Sequence, residues 1–332
     1  MTSKTHTQPS EATKTFITYY EKTKAKQIEI KKSSIALSRD NYIKAYILTI
    51  IDFLTNLKDK TLQGLLTSIE SMSKELLSEL TGTDILPKSR ALLSLLSASK
   101  LILNLLHRYT SLNEEEDFST IKTHLIKVVS NMYDFSNLSK DNIVFYSSQL
   151  FNYKGTFLLH GYSSTIAYCL IQAWQSGKRF SIYLLKSSVD GSGKKMEEVL
   201  TMFNIPTKVI PDSSIAFYMK DIGYVLVGAD MVCANGGIIN RLGTYTLAIC
   251  AKEFGKPLYV FASSFKFYNW FPFTQNDIKN LIREYIKETS VNEDDEVSCD
   301  FTPPNYITCF ITDLGIMNAY GVSKELFKVF SI

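Results

Sequence analysis

The stretch TFLLHGYSSTIAYCLIQAWQSGKRFSIYLLK, residues 156–186, decides the fold of the C-terminal half of the chain. Two short apolar runs, at 156–160 and 180–186, flank a segment in which apolar residues recur at helical spacing. Strands that are covered by helices on both faces form continuous apolar runs of this kind. The stretch therefore predicts a strand–helix–strand unit with a right-handed crossover, which is the building block of an open parallel sheet.

The same alternation continues to the end of the chain. Further apolar runs are TKVI, YVLVGAD, PLYVFAS and YITCFIT. Helical patterns between and after them are predicted at 193–203, 212–220, 244–254 and near Lys324. Strands that alternate with helices predict a Rossmann-like, mostly parallel, doubly wound sheet. Residues 271–300, with Pro272 and an acidic patch at 293–296, are predicted to leave the sheet.

The N-terminal half has a different period. Apolar residues such as Tyr42, Ile43, Tyr46 and Ile50 recur three and four positions apart, and similar patterns extend to about residue 150. Gly82 is a candidate helix C-cap, and an acidic run at 114–117 suits a helix N-terminus. The sequence thus predicts an α/β protein with a polar tail at 1–10, a helical domain at 11–152 and a Rossmann-like domain at 153–332.

Composition narrows the class of protein. The 36 basic and 33 acidic residues give a net charge of +3, which does not indicate a nucleic-acid partner. Five cysteines, an odd number without a C-x-x-C pair, argue against a disulfide framework and favour a reducing compartment. Without an apolar leader or a run of about 18 apolar residues, we predict a cytosolic protein that binds no membrane.

Several catalytic and cofactor motifs are missing. The segment DGSGKKM lacks both the third glycine of a dinucleotide fingerprint and the spacing of a phosphate-binding loop of NTPases. HGYSST lacks the closing glycine of a nucleophile elbow, and the four histidines have no metal-ligand spacing. We therefore expect no cofactor and no bound metal.

Polar residues and one glycine pair are concentrated at and just after the predicted strand ends, where open parallel sheets bind their ligands. They are Tyr162, Ser163, Asp230, Asn235, Gly236, Gly237, Asn240, Arg241 and Lys266. Backbone N–H groups at a glycine pair can cradle an anion, and arginine and lysine would add positive charge. Two interpretations stay open: a pocket for a small phosphorylated ligand with hydroxyls, or a plain strand-to-helix turn in which Arg241 is solvated.

The segment GADMVCANGGIINRLGTYTLAICAKEFGKPLYVFASSFKF, residues 228–267, resembles the alpha regulatory subunits of eukaryotic translation initiation factor 2B. The resemblance extends to FTPPNYITCFITDLG at 301–315 and to AYILTIIDFLTNLKDKTLQGL at 45–65. The same superfamily includes methylthioribose-1-phosphate and ribose-1,5-bisphosphate isomerases, which share the two-domain build.

The resemblance also bears on chemistry. The isomerases use a cysteine after the first Rossmann strand and an aspartate in the Gly-Ala-Asp stretch. Asp230 matches the aspartate, whereas Gly161 stands at the cysteine position, and the isomerases' Arg-Gly motif is Gln63-Gly64 in this chain. The resemblance therefore implies a sugar-phosphate pocket that includes Gln63 and Gly64 but has no catalytic residue. An active aldose–ketose isomerase remains the alternative.

For the whole protein, the resemblance implies a non-catalytic, homodimeric regulatory subunit of the guanine-nucleotide exchange complex for initiation factor 2. It would bind other subunits of initiation factor 2B and help to sense the phosphorylated alpha subunit of initiation factor 2. Candidate phosphoserine-binding residues are Arg90, Lys100 and Arg108. The aromatic segment FKFYNWFPF, residues 265–273, is predicted to form the dimer interface, although it could instead cover the sheet.

Overall fold

A computed structural model describes residues 10–30, 40–57, 61–80, 89–113, 116–152, 155–285 and 298–330. The N-terminal half is helical, as predicted. Its helices are α1 (Glu11–Ile30), α2 (Asp40–Asn56), α3 (Leu62–Leu80), α4 (Ser89–Leu112) and α5 (Phe118–Ser147). No helix in these ranges is long and apolar enough to cross a bilayer.

The start of α5 confirms the prediction for the acidic run in part. The Asp117 carboxylate accepts hydrogen bonds from the backbone N–H groups of Ser119 and Thr120, both at 3.1 Å. It therefore satisfies two of the N–H groups that a helix start leaves unpaired. The helix itself begins at Phe118. Three features predicted from sequence lie outside the described residues: Glu114, the candidate C-cap Gly82 and the acidic patch at 293–296.

The C-terminal half contains eleven strands and six helices among the described residues. The strands are β1 (Thr156–His160), β2 (Ser181–Leu185), β3 (Thr207–Ile210), β4 (Tyr224–Gly228), β5 (Met231–Cys233), β6 (Ile238–Arg241), β7 (Leu258–Phe261), β8 (Phe267–Tyr268), β9 (Cys299–Thr302), β10 (Cys309–Thr312) and β11 (Gly315–Met317). The helices are α6 (Ser164–Gln175), α7 (Ser192–Met202), α8 (Ile215–Tyr218), α9 (Thr244–Glu253), α10 (Gln275–Arg283) and α11 (Ala319–Phe330).

The main sheet has the order β3-β2-β1-β4-β7-β10-β11. All its pairs are parallel except the last, in which β11 runs antiparallel to β10. The six parallel strands, taken in chain order, follow the 3-2-1-4-5-6 arrangement of a Rossmann fold. This confirms the predicted fold class and places the point where the strand order reverses between β1 and β4.

A second sheet, with the order β8-β5-β6-β9, differs from the prediction. The residues between the strand predicted at 224–230 and the helix predicted at 244–254 were expected to form one loop, but they fold into a hairpin in which Met231 pairs with Ile239 and Val232 with Ile238. The apolar runs on either side of the turn are too short to be recognised alone, and β8 and β9 support them from distant parts of the sequence. The helix predicted at 212–220 is divided into short turns around α8.

The core of the helical half continues into this second sheet. Met231, Cys233, Ile239 and Phe301 belong to the same buried apolar cluster as the inward faces of α2, α3 and α4. Burial of this surface ties the two halves together, because each covers apolar side chains of the other. One consequence is that α4 lies against β5 and β8 at the carboxyl end of the main sheet.

Candidate functional site

A polar pocket lies at the carboxyl ends of β1 and β4, where ligand sites of open parallel sheets occur. It brings together six of the residues predicted from sequence, which are Tyr162, Ser163, Asp230, Asn240, Arg241 and Lys266. The chain leaves β1 through Gly161, whose φ of +64° is in the left-handed region that favours glycine. Ser163 then caps α6 by accepting a hydrogen bond from the backbone N–H of Ile166.

Three of the residues that line this pocket, Arg90, Asp230 and Arg241, are joined by Asp190 into a chain of four charged side chains, which we call the Asp230–Arg90–Asp190–Arg241 network. Arg90, near the start of α4, donates from Nε to Asp230 Oδ2 and from Nη1 to Asp190 Oδ2, the latter at 3.0 Å. Arg241, at the end of β6, donates from Nη1 to both oxygens of Asp190, at 2.9 and 2.6 Å. The Asp190 carboxylate therefore bridges two buried arginines.

Further contacts hold the arginines and Asp230 in place. Arg241 also donates to Ser192 Oγ and, from Nη2, to the carbonyl oxygen of Tyr162 at 2.9 Å. Ser94, one turn after Arg90 on α4, donates to the Asp230 carbonyl oxygen at 2.9 Å. Lys266 donates from Nζ to the carbonyl oxygen of Ala229 at 2.7 Å. Each cation is thus fixed by elements that come from different parts of the chain.

The network sets the charge states in the pocket. Burial alone would raise the pKa of the Asp190 carboxyl, but Arg241, Ser192 and Arg90 together lower it below its ordinary value. Burial, and after it the neighbouring Arg241, lower the pKa of His160 to about 3. At neutral pH the Asp190 carboxyl is therefore ionised, whereas the adjacent imidazole is neutral.

The space beside Gly161 is already filled. A Cβ atom at this position would collide with the Arg241 guanidinium. A residue with a side chain would also have to adopt a positive φ here, which is unfavourable for L-residues. The position that the resemblance assigns to a catalytic cysteine therefore has no room for a side chain while Arg241 holds its present place.

A second cavity of about 190 Å³ adjoins the first and shares His160 and Arg241 with it. Its wall includes the apolar side chains of Leu185, Val189, Ile215 and Leu242, and Asp190 also lines it. The pocket around Asp230 and Asn240 has only about 30 Å³ of free space. The narrow, charged pocket, which we call the niche, thus adjoins a larger cavity with a partly apolar wall.

The Asn235-Gly236-Gly237 loop lies apart from this pocket. It is the turn of the β5–β6 hairpin, and its N–H groups are already paired: Gly236 donates to the Cys233 carbonyl oxygen and Gly237 to Asn235 Oδ1, both at 2.9 Å. A Cβ at Gly236 would collide with Ala319 of α11. The loop is therefore a packed turn and not an anion cradle, which corrects that part of the sequence interpretation.

Gln63 and Gly64 are also separate from the pocket. Both lie in the first turn of α3, where the Gly64 N–H donates to Thr61 Oγ1 at 3.2 Å, and neither lines the two cavities. The structure thus brings the strand-end residues together but does not bring this pair to them.

Sequence reasoning did not assign two members of the network to the pocket. Arg90 was a candidate for phosphoserine binding at the surface, but it is 2% exposed and paired with two carboxylates, so it is not available there. The only sign in the sequence that Arg90 is buried is that it is the single charged residue in a stretch of apolar residues and serines, SRALLSLLSAS. Asp190 lies in the loop after β2, at the edge of the sheet where open parallel sheets bind their ligands. The sequence interpretation of its segment, DGSGKKM, concerned only glycine motifs.

Comparison of the sequence with known proteins identifies the family of the chain. Residues 47–319 match the model of the Initiation factor 2 subunit family. The translation initiation factor eIF2B subunit alpha of Dictyostelium discoideum is 32% identical over 91% of this chain and 96% of its own length. The ribose 1,5-bisphosphate isomerase of Thermococcus kodakarensis is 27% identical over 52% of this chain and 56% of its own length.

Among solved structures, eIF2B beta from Chaetomium thermophilum matches with a TM-score of 0.67 and 17% identity. The match covers 98% of both chains, so the two proteins share the whole fold.

Proposed function

The chain belongs to the initiation factor 2 subunit family, and we propose that it is a cytosolic, non-catalytic regulatory subunit of an exchange complex for translation initiation factor 2. The observation that carries the non-catalytic assignment is the contact between Gly161 and Arg241. Gly161 offers no functional group, and Arg241 fills the space in which a side chain would have to act.

The remaining groups support this assignment. Moving a proton between two carbons requires an acid/base group that can reach the substrate. Asp230 is engaged with Arg90, and His160 is a neutral imidazole with Thr244 Oγ1 3.4 Å from its Nδ1. Burial raises the pKa of the Cys299 thiol to about 12 and that of Cys233 higher still, so neither is a thiolate at neutral pH.

The test is an isomerase assay on the purified chain with ribose-1,5-bisphosphate and methylthioribose-1-phosphate. We expect no turnover above the background of a preparation carrying Asp230→Asn. Turnover at rates typical of enzymes, about 1–10³ s⁻¹, that disappears in Asp230→Asn would overturn the proposal. It would establish the second candidate function, an active sugar-phosphate isomerase, which the similarity to the Thermococcus enzyme favours.

We propose further that the pocket is retained as a binding site for a sugar phosphate. Arg90, Arg241 and Lys266 supply positive charge, while Asp230, Asn240 and Ser163 supply partners for hydroxyl groups. A ligand that binds only the folded chain stabilises it by about 2.7 kcal/mol at a concentration of 100 Kd. Thermal unfolding with millimolar ribose 5-phosphate should therefore show a rise in Tm, and an unchanged Tm would count against a retained site.

The proposed homodimer uses the far end of the aromatic segment at 265–273. Phe265 and Phe267 are buried in the cores of the chain, whereas Phe271 and Phe273 are 55% and 88% exposed. The first half of the segment thus covers the protein's own core, and the second half is free to contact a partner. Sedimentation should show a weakened dimer for the double variant Phe271→Ser/Phe273→Ser. The variant Phe217→Ser serves as the control, because it changes a phenylalanine on α8 that is 78% exposed, between the values of Phe271 and Phe273.

The proposed partners are other subunits of initiation factor 2B and the phosphorylated alpha subunit of initiation factor 2. With Arg90 buried, Lys100 and Arg108 on α4 remain as exposed candidates for phosphoserine contact. Affinity purification of the tagged chain from its source cell should recover the other subunits. Binding of phosphorylated initiation factor 2 to the recovered complex should fall when Lys100→Ala is introduced and not when Lys127→Ala is introduced on α5.

A further inference from the structure

The Asp190 carboxylate has the contacts that an anionic ligand would have. It receives three charge-assisted hydrogen bonds, one from Arg90 and two from Arg241. Arginine pairs that converge on one centre are a common way to bind a phosphate group, because their planar forks match its oxygens. In this structure the chain's own carboxylate occupies that place.

The volume of the pocket agrees with an occupied state. The niche lined by Arg90, Asp230, Asn240 and Lys266 has about 30 Å³ of free space. A water molecule needs about 10–15 Å³ of such space, so the niche has room for about two waters but not for a sugar phosphate. Binding of such a ligand therefore requires one member of the network to move.

Asp190 is the member that is free to leave. Its side chain is 15% exposed, whereas the side chains of Arg90 and Arg241 are only 3% and 4% exposed. Arg90 stays anchored by Asp230, and Arg241 by the Tyr162 carbonyl oxygen. Asp190 has no comparable second anchor, because its remaining side-chain hydrogen bonds join it to Ser192, within its own loop.

The loop around Asp190 is built for a local movement. Asp212 fixes its beginning by accepting hydrogen bonds from the N–H groups of Ser187 and Ser188, at 2.9 and 2.8 Å. Left-handed residues flank Asp190, with φ of +51° at Ser187 and +63° at Gly191. Rotation about a few such residues is how hinges absorb a change in backbone direction. The adjoining cavity of about 190 Å³ gives the displaced side chain space.

We propose that Asp190 is a displaceable internal counter-ion that occupies the phosphate position and closes the pocket until a phosphomonoester displaces it. This inference rests on the proposed sugar-phosphate pocket. Without Asp190, two arginines face one aspartate, which leaves one positive charge in excess, and Lys266 adds a second. A dianionic phosphomonoester matches that charge, and a neutral sugar does not. Occupancy of the pocket is thereby linked to the conformation of the loop between β2 and α7.

The test measures binding of inorganic phosphate and ribose 5-phosphate to the full chain by calorimetry at pH 7.5. Asp190→Asn keeps the shape of the side chain but removes its charge, so the two arginines attract the probes without competition. We expect both probes to bind at least about tenfold more tightly than to the wild type, within the range of about 5–150-fold that is typical of such coupling. Asp134→Asn, an equal charge change at an exposed position on α5, should leave both affinities unchanged.

A second measurement needs no variant. Hydrogen exchange in the wild-type chain should increase across residues 187–192 when phosphate saturates the pocket, because the loop loses its bonds to both arginines. If the wild type binds the probes but Asp190→Asn binds them equally or more weakly, or exchange at 187–192 stays unchanged, the counter-ion role is overturned and the pocket stands. If neither folded protein binds either probe, the proposed pocket fails, and the counter-ion role fails with it.

Discussion

Replacing Gly161 with alanine tests the packing on which the proposed lack of catalysis rests. Two costs are expected. An L-residue with left-handed φ costs about 1–2 kcal/mol, and the new Cβ must push the Arg241 guanidinium away from Asp190 and the Tyr162 carbonyl oxygen. Breaking a buried ion pair costs about 3–5 kcal/mol, and we take the lower end because the side chain is flexible and a cavity adjoins it. The free energy of unfolding should therefore fall by about 4–5 kcal/mol.

Gly255 provides a matched control. Its φ is +62°, close to the +64° of Gly161, but a Cβ there would meet no atom within 4 Å. Gly255→Ala should therefore cost only the backbone strain of about 1–2 kcal/mol. Urea unfolding followed by circular dichroism measures both values. In an Arg241→Ala background, Gly161→Ala should cost no more than Gly255→Ala, because the obstacle is gone. Equal losses for the two glycine variants in the wild-type background would refute the reasoning.

Two more predictions concern buried carboxylates. Burial raises the pKa of Asp300 to about 6, so the folded chain binds its proton more tightly than the unfolded chain and gains stability as pH falls from about 6 towards 4. Keeping the Asp300 carboxylate ionised at pH 7 should lower the free energy of unfolding by about 3 kcal/mol. In Asp300→Asn, the free energy of unfolding should therefore differ less between pH 4.5 and pH 7 than in the wild type. Parallel pH profiles of the two proteins would contradict this. Asp313 accepts a hydrogen bond from Ser139 at 2.7 Å, so Ser139→Ala should lower the free energy of unfolding by about 1.5–3 kcal/mol. Ser130→Ala, which removes only a local bond on the same helix, should cost much less, and equal losses in urea unfolding would count against a role for Asp313.

The parts of the fold that depend on local pattern could be predicted from sequence. A helix was expected between the apolar runs at 156–160 and 180–186, and α6 spans Ser164–Gln175 there, because its apolar spacing and its capping serine are both local signals. The β5–β6 hairpin could not be found in this way, since its short strands gain partners from distant residues: Phe267 pairs with Val232 of β5, and Phe301 pairs with Ile239 of β6. Their positions depend on the tertiary fold.

The same distinction holds for the candidate site. The rule that parallel strands present ligands at their carboxyl ends was enough to bring Tyr162, Asp230 and Lys266 together. Arg90 stands 140 positions before its partner Asp230, and no local pattern connects a helix in the first half with a strand end in the second. The glycine pair at 236–237 was misleading because its sequence suits a tight hairpin turn as well as an anion cradle.

The apolar cluster that joins the helices to the second sheet has a practical consequence for mapping partners. A fragment that starts near residue 153 would expose Met231, Cys233, Ile239 and Phe301 to water, and a fragment that ends there would lose the surface on which α4 rests. Neither piece retains a complete interior, so truncation is expected to produce aggregates, which would give misleading negative results in interaction screens. Surface substitutions in the intact chain are the appropriate tools. Helix α4 also carries Arg90, which donates to Asp230. A partner that binds the helical half would therefore contact the domain whose helix reaches into the pocket.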